Sequence, residues 1–213
     1  MPGRTLLTNR GVPWVVGSLL LLAAAAGLYL FTGAAASEPT RSQPPGANDI
    51  TYGPADAPLA VIEYSDFQCP FCAEYAKIMK TLREKYEDRV QFVFRFFPLA
   101  NHPYATVTAK AAYAASLQGK FWEMHDLLFE NQKEWSDSAD PRPYIDSYAR
   151  SLGLDMKQFH ADMDDQSTVD FIAKQADEGN QAGVTHTPWF VIGGQVVLPR
   201  SLKQFESLIE KGL

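Results

Sequence analysis

From Leu59 to Tyr64 the chain reads LAVIEY, a nearly continuous apolar run, and five residues later Cys69-Pro70-Phe71-Cys72 opens an amphipathic stretch. A continuous apolar run marks a strand covered on both faces. From Pro70 to about Glu87, apolar or small residues at 72, 75, 76, 79, 82 and 86 keep the 3.6-residue period, with charges at 74, 77, 80, 84 and 85 opposite. A helix is expected there. Val90 to Phe97 (VQFVFRFF) is the next strand. Strand, helix and strand of this length close as a right-handed crossover with a parallel pair, which fixes the class as α/β.

A long helical stretch is expected from about Tyr104 to Ala182, broken near Gln118-Gly119, Ser136–Pro143, Gly153 and Asp164–Ser167, where turn formers interrupt the period. Strand signals return at Trp189–Ile192 and Gln195–Leu198. Gly193-Gly194 between them suits a two-residue hairpin turn, which needs positive φ. A last helix is expected over Leu202–Lys211. Together these describe one domain, 49–213, with a helical insert at about 100–183.

Residues 12–31 are almost wholly apolar, and nothing between Gly11 and Ser37 is charged. As a helix, such a stretch spans about 30 Å, the thickness of a hydrocarbon core. Arg4 and Arg10 precede it, which favours a short cytoplasmic N-terminus (1–11), a single transmembrane signal anchor (12–31) and export of the remainder of the chain. Ala34-Ala35-Ala36 offers a small-residue cleavage site, so a removed signal sequence is the alternative. Residues 32–48, with Pro39, Pro44, Pro45 and Gly46, read as a flexible linker. On either account the catalytic domain is expected outside the cytoplasm, periplasmic or at the cell surface, where disulfides persist.

Composition narrows the function. With 46% hydrophobic and 21% charged residues, chain-wide disorder and a multi-span membrane protein are excluded. A net charge of −6 without a clustered basic face argues against a nucleic-acid partner. Two cysteines cannot make a disulfide-dense scaffold, and their three-residue spacing points to chemistry.

Cys69 falls at the expected N-cap and Pro70 at the first helical position, where a missing N–H costs nothing. Cys72 lies one turn on, so the two sulfurs share a face. The Cys69 sulfur would meet the unsatisfied N–H groups of Phe71 and Cys72 and the positive end of the helix dipole, which should lower its pKa below about 8.5. Stabilising that thiolate stabilises the dithiol and makes the disulfide a better oxidant. A half zinc site would need ligands that the histidines at 102, 125, 160 and 186 do not supply by spacing. An inert disulfide across so small a loop would add little stability; a redox dithiol is the stronger account.

Glu63 places a carboxylate inside the most apolar strand, six residues before Cys69. Unpartnered, it would cost several kcal/mol or take up a proton, and it is a candidate relay for the Cys72 proton. Arg95, in the neighbouring strand, is its candidate counter-ion. Thr187-Pro188 opens a later strand, where a cis bond would expose the Thr187 backbone to an extended peptide. The four histidines read mainly as surface or satisfied residues, with His186 the exception most worth attention. Pro70, Phe71, Thr187 and Trp189 are candidates for the substrate-binding surface.

The set APLAVIEYSDFQCPFC, VQFVFRFFPL, a long helical insert and GVTHTPWFVIGG resembles the DsbA-like thiol:disulfide oxidoreductases of the thioredoxin superfamily. The resemblance covers about Asn48 to Leu213. It implies a thioredoxin-like fold with a large helical insertion, preceded here by the transmembrane helix. It also implies a redox-active Cys69–Cys72 disulfide, with Cys69 attacking and Cys72 resolving, Glu63 as the buried acid, and Pro188 as a cis-proline facing the sulfurs. The implied activity is oxidation of cysteine pairs in exported or unfolded proteins, with re-oxidation by a quinone-linked membrane oxidase and no metal, nucleotide or organic cofactor. A membrane-anchored reductase or isomerase, and a non-catalytic holdase, are the alternatives. One departure is Phe71, which stands where the best-known periplasmic oxidases carry a histidine.

Overall fold

The computed structural model describes residues 44–46 and 48–213. The expected N-terminus, the spanning segment 12–31 and most of the 32–48 linker lie outside them. Among the described residues no helix is long and apolar enough to cross a membrane.

The chain first forms β1 (Ile50–Tyr52) and β2 (Leu59–Ser65), then α1 (Pro70–Lys85) and β3 (Val90–Phe96). Six helices come next: α2 (Ala105–Leu117), α3 (Phe121–Glu130), α4 (Gln132–Ser136), α5 (Arg142–Ser151), α6 (Met156–Asp164) and α7 (Gln166–Gln181). The hairpin β4 (Trp189–Ile192) and β5 (Gln195–Val197) and the helix α8 (Leu202–Gly212) complete the domain. The sheet runs β1-β3-β2-β4-β5. Strands β2 and β3 are the expected parallel pair, and the other pairings are antiparallel. Gly193 and Gly194 turn the hairpin with φ of 56° and 78°, values that favour glycine.

Alternation along the central strands assigns each side chain to a layer. One face carries Val61 and Glu63 of β2 with Phe92, Phe94 and Phe96 of β3; it packs against α1 and, through Phe67, Phe121 and Phe129, against the insert. The other carries Ile62, Tyr64 and Val93 and lies under α7, where Gly179 sits against the Phe97 and Tyr64 rings. In α2 the buried alanines 105, 109, 111, 112, 114 and 115 make a small-residue surface at the centre of the insert.

Two expectations are corrected. Asn131 adds a break between α3 and α4. Arg95 is not the counter-ion of Glu63: Glu63 pairs in register with Phe94, and Arg95 with Tyr64, so the two charges project from opposite faces. Arg95 instead grips Asp49 through both oxygens, at 2.7 and 3.2 Å, and donates to the Tyr64 hydroxyl at 2.9 Å.

Candidate active site

Cys69 is the N-cap of α1, with extended backbone angles (φ −72°, ψ 121°), and Pro70 sits at the first helical position. Both cysteines are buried free thiols, whereas Pro70 and Phe71 between them are exposed. The Cys69 Sγ lies 3.4 Å from the backbone oxygen of Thr187, and the Thr187-Pro188 peptide is cis. The helix start therefore meets the turn before β4, in line with the expectation for Pro188.

The electrostatics separate the two sulfurs. Cys69 is lowered from 9.0 to about 6, first by a hydrogen bond from the Cys72 thiol. Burial opposes this, while the Thr187 side chain and the N–H groups of Cys72 and Phe71 assist. Among the described residues, Thr187 Oγ1 has no other hydrogen-bond partner. Cys72 is raised well above 9.0, first by burial and then by its bond to Cys69 and by the charges of Cys69 and Glu63. A low-pKa sulfur at the rim and a protonated one beneath it is the arrangement of an attacking and a resolving thiol.

Glu63 is buried, and its Oε1 has no hydrogen-bond partner among the described residues. Burial pushes its carboxyl from 4.5 to about 7, against the pull of the Ser65 hydroxyl and the Arg83 charge. Arg83, a buried residue of α1, supplies positive charge that acts on it. The Arg83 guanidinium carbon stands 4.2 Å from the Trp122 ring centroid, and its Nη2 lies 2.9 Å from Asp126 Oδ1. Near neutral pH, Glu63 is poised to give or take a proton.

Trp189 stands apart from the thiols. Its register with Tyr64 puts it on the α7 face, half-buried, with its ring 4.9 Å from that of His186. His125 is not a surface residue. It is fully buried among Phe67, Phe94, Phe121, Trp122 and Phe129, and burial lowers it to about 4. Its Nδ1 lies 2.9 Å from Asp126 Oδ1, and its Nε2 has no hydrogen-bond partner among the described residues.

Residues that spacing does not reveal hold the loop before Cys69. Gln132 Nε2, from α4, donates to the carbonyl oxygens of Phe67 (2.7 Å) and Cys69 (2.8 Å). The Gln68 side-chain oxygen accepts from the Tyr104 N–H at 2.6 Å. Asp66, with His102 beside it, anchors the start of the loop. An acidic residue directly after a buried strand is the one sequence signal that could have pointed to this support. Among the described residues, no group of three or more His, Cys, Asp or Glu side chains is placed to hold a metal ion.

A family model described as Thioredoxin matches residues 46–211. The antiporter NhaA 3 of Salinispora tropica is 38% identical over 148 residues, and NhaA of Herminiimonas arsenicoxydans is 33% identical over 155. These matches take in 69% and 72% of this chain but only 22% and 24% of those proteins. The chain thus spans under a quarter of the length of these curated relatives. Among solved structures, oxidised BdbD from Bacillus subtilis superposes with a TM-score of 0.72 at 20% identity, over 83% of this chain and 98% of that one. Alpha-DsbA1 from Wolbachia pipientis gives 0.68 at 23% identity, over 78% and 92%. A thioredoxin-like oxidoreductase from Silicibacter pomeroyi gives 0.66 at 24%, over 78% and 92%. At these identities the structures speak to the fold.

Proposed function

The chain belongs to the thioredoxin family, and on that premise we propose that it is a DsbA-like member that oxidises cysteine pairs of exported proteins through a Cys69–Cys72 disulfide. The observation that carries thiol–disulfide exchange, in either direction, is the Cys69 sulfur, held at about 6 and 3.4 Å from the Thr187 carbonyl. A peptide laid along the Thr187-Pro188 turn would present its own sulfur there, beside Pro70 and Phe71.

The exchange takes two steps. A substrate thiolate attacks Cys69 of the oxidised enzyme; the Cys69–Cys72 bond breaks, a substrate–Cys69 disulfide forms, and the electron pair leaves on Cys72. Cys72, whose burial disfavours charge, takes a proton, and Glu63 is its proposed donor. A second substrate thiolate then attacks the mixed disulfide and expels Cys69 as a thiolate. Substrate loses two electrons, and the dithiol passes them to a quinone-linked membrane oxidase. The segment 12–31 anchors the domain on the extracytoplasmic side of the membrane.

One observation favours the opposite direction of flow. A Cys69 pKa of about 6 lies closer to thioredoxin's value of about 7 than to the value of about 3.5 in a strong oxidant, and Phe71 adds no donor. The reduction potential decides. A value more positive than about −200 mV supports the oxidase, and one near −270 mV, that of thioredoxin, the reductase. A Cys72→Ala variant should accumulate mixed disulfides on Cys69. A Cys69→Ala variant that keeps full activity in vivo would leave only a non-catalytic module.

A further inference from the structure

Hydrogen bonds on both sides of the Cys69 Cα settle how its backbone lies. The Cys69 N–H donates to the Asp66 carbonyl at 3.0 Å and closes a turn. The buried Asp66 carboxylate fixes that turn, accepting the Gln68 N–H at 2.7 Å and the Leu99 N–H at 2.9 Å. On the other side, the Cys69 carbonyl accepts the Ala73 N–H at 3.3 Å, the first bond of α1, and Gln132 Nε2 at 2.8 Å. Pro70 brings no N–H to this second peptide unit, so the carbonyl is the one polar group by which the unit is held. The side-chain bond is the shorter of its two. Gln132 Nε2 also donates to the Phe67 carbonyl at 2.7 Å, and the Phe67 ring packs against Phe94 and Phe129. One amide nitrogen thus ties Cys69 to a residue seated in the core. Gln132 itself opens α4, whose fully buried Trp135 donates to the Leu128 carbonyl of α3 at 2.7 Å.

We propose that Gln132 is a positioning residue for the attacking sulfur: by fixing the direction of the Cys69 carbonyl, it holds the ψ of 121° at which Sγ stands 3.4 Å from the Thr187 carbonyl. This rests on the redox role proposed for Cys69. The ψ angle sets how the Cα–Cβ bond lies relative to the peptide unit that begins α1. A thiolate at a helix start is favoured by the unsatisfied N–H groups and the dipole only while it stays within the first turn. A reactive group keeps such a place when supporting hydrogen bonds lock it. The Asp66 turn locks the N-terminal side of Cys69 and belongs to the same loop. Gln132 locks the other side from the helical insert, so the seat of the insert is carried to the sulfur.

The test is the rate of Cys69 alkylation by iodoacetamide as a function of pH in the reduced full chain, which yields a midpoint and a plateau rate separately. Gln132→Met, of similar length but with no donor, should raise the midpoint by about one pH unit. Gln132→Asn keeps the amide but falls one bond short, and it should raise the midpoint as well. Gly179→Ala, strained on the far face of the sheet, should leave the midpoint in place. A shift of equal size in all three would mark lost stability and overturn the proposal. So would an unchanged midpoint in either folded Gln132 variant. A plateau rate that rises while the midpoint stays would mark a loosened loop and overturn it too. If the methionine variant fails to fold, the asparagine variant decides alone. A wild-type midpoint at the free-thiol value of about 8.5 would instead overturn the redox role of Cys69 itself, a result distinct from the others.

Discussion

The Cys69 sulfur and the Thr187 carbonyl oxygen stand 3.4 Å apart across 118 positions of sequence. The contact joins the start of α1 to the turn before β4, and it places the Cys69 sulfur beside the backbone of that turn. The sulfur's ionisation, the buried acid behind it and the loop that carries it can each be tested separately.

The Cys72 thiol is the largest single cause of the low Cys69 value. In Cys72→Ala, the midpoint of Cys69 alkylation should therefore rise from about pH 6 toward the ordinary thiol range. A midpoint that stays in place would shift the credit to the backbone N–H groups alone.

Phe71 is 68% exposed between the two cysteines and offers the thiolate no donor. Phe71→His should lower the alkylation midpoint and make the disulfide more oxidising, because an imidazolium favours the thiolate. The potential, measured against glutathione, should become more positive.

Glu63 carries a cost that depends on pH. Its carboxyl titrates near 4.5 when unfolded and about 7 in the fold, so the unfolded chain releases the proton first. The penalty is absent below pH 4.5, grows between 4.5 and 7, and is constant above. At about 1.4 kcal/mol for each tenfold change in proton affinity, it reaches about 3 kcal/mol. Glu63→Gln should gain stability over wild type across that window in urea titrations, while slowing thiol exchange. Parallel stability curves from pH 4 to 8 would refute this.

Gln132 donates to two loop carbonyls from a helix of the insert. Gln132→Leu should lower stability by about 1–3 kcal/mol, because both carbonyls lose their donor. Denaturant melts would measure the loss.

On the far face, a Cβ at Gly179 would come within 2.7 Å of the Phe97 ring and 3.2 Å of Tyr64. Gly179→Ala should destabilise the domain by about 1–3 kcal/mol and leave the Cys69 alkylation midpoint unchanged.

How much of the molecule is legible in the sequence depends on the kind of signal that encodes each part. β2, α1, β3, the β4–β5 hairpin and α8 carry strong periodic or turn signals, and each lies within two residues of its expected bounds. β1 is not legible because a strand of three residues, paired to β3, carries no usable period. The Cys69–Cys72 motif was legible from its spacing and its place after a buried strand, whereas the expectation for Pro188 came from the resemblance to the DsbA-like oxidoreductases. The error over Arg95 came from proximity in adjacent strands, where the two-residue alternation decides the face. Asp66, Gln132 and His102 stayed hidden because their roles lie in long-range pairings that no local pattern writes down.

The central claim is that Cys69 is held ionised near neutral pH, and its alkylation rate as a function of pH tests that most directly. The account predicts a single rise for the reduced protein with its midpoint close to pH 6. A midpoint near the free-thiol value of about 8.5 would contradict it.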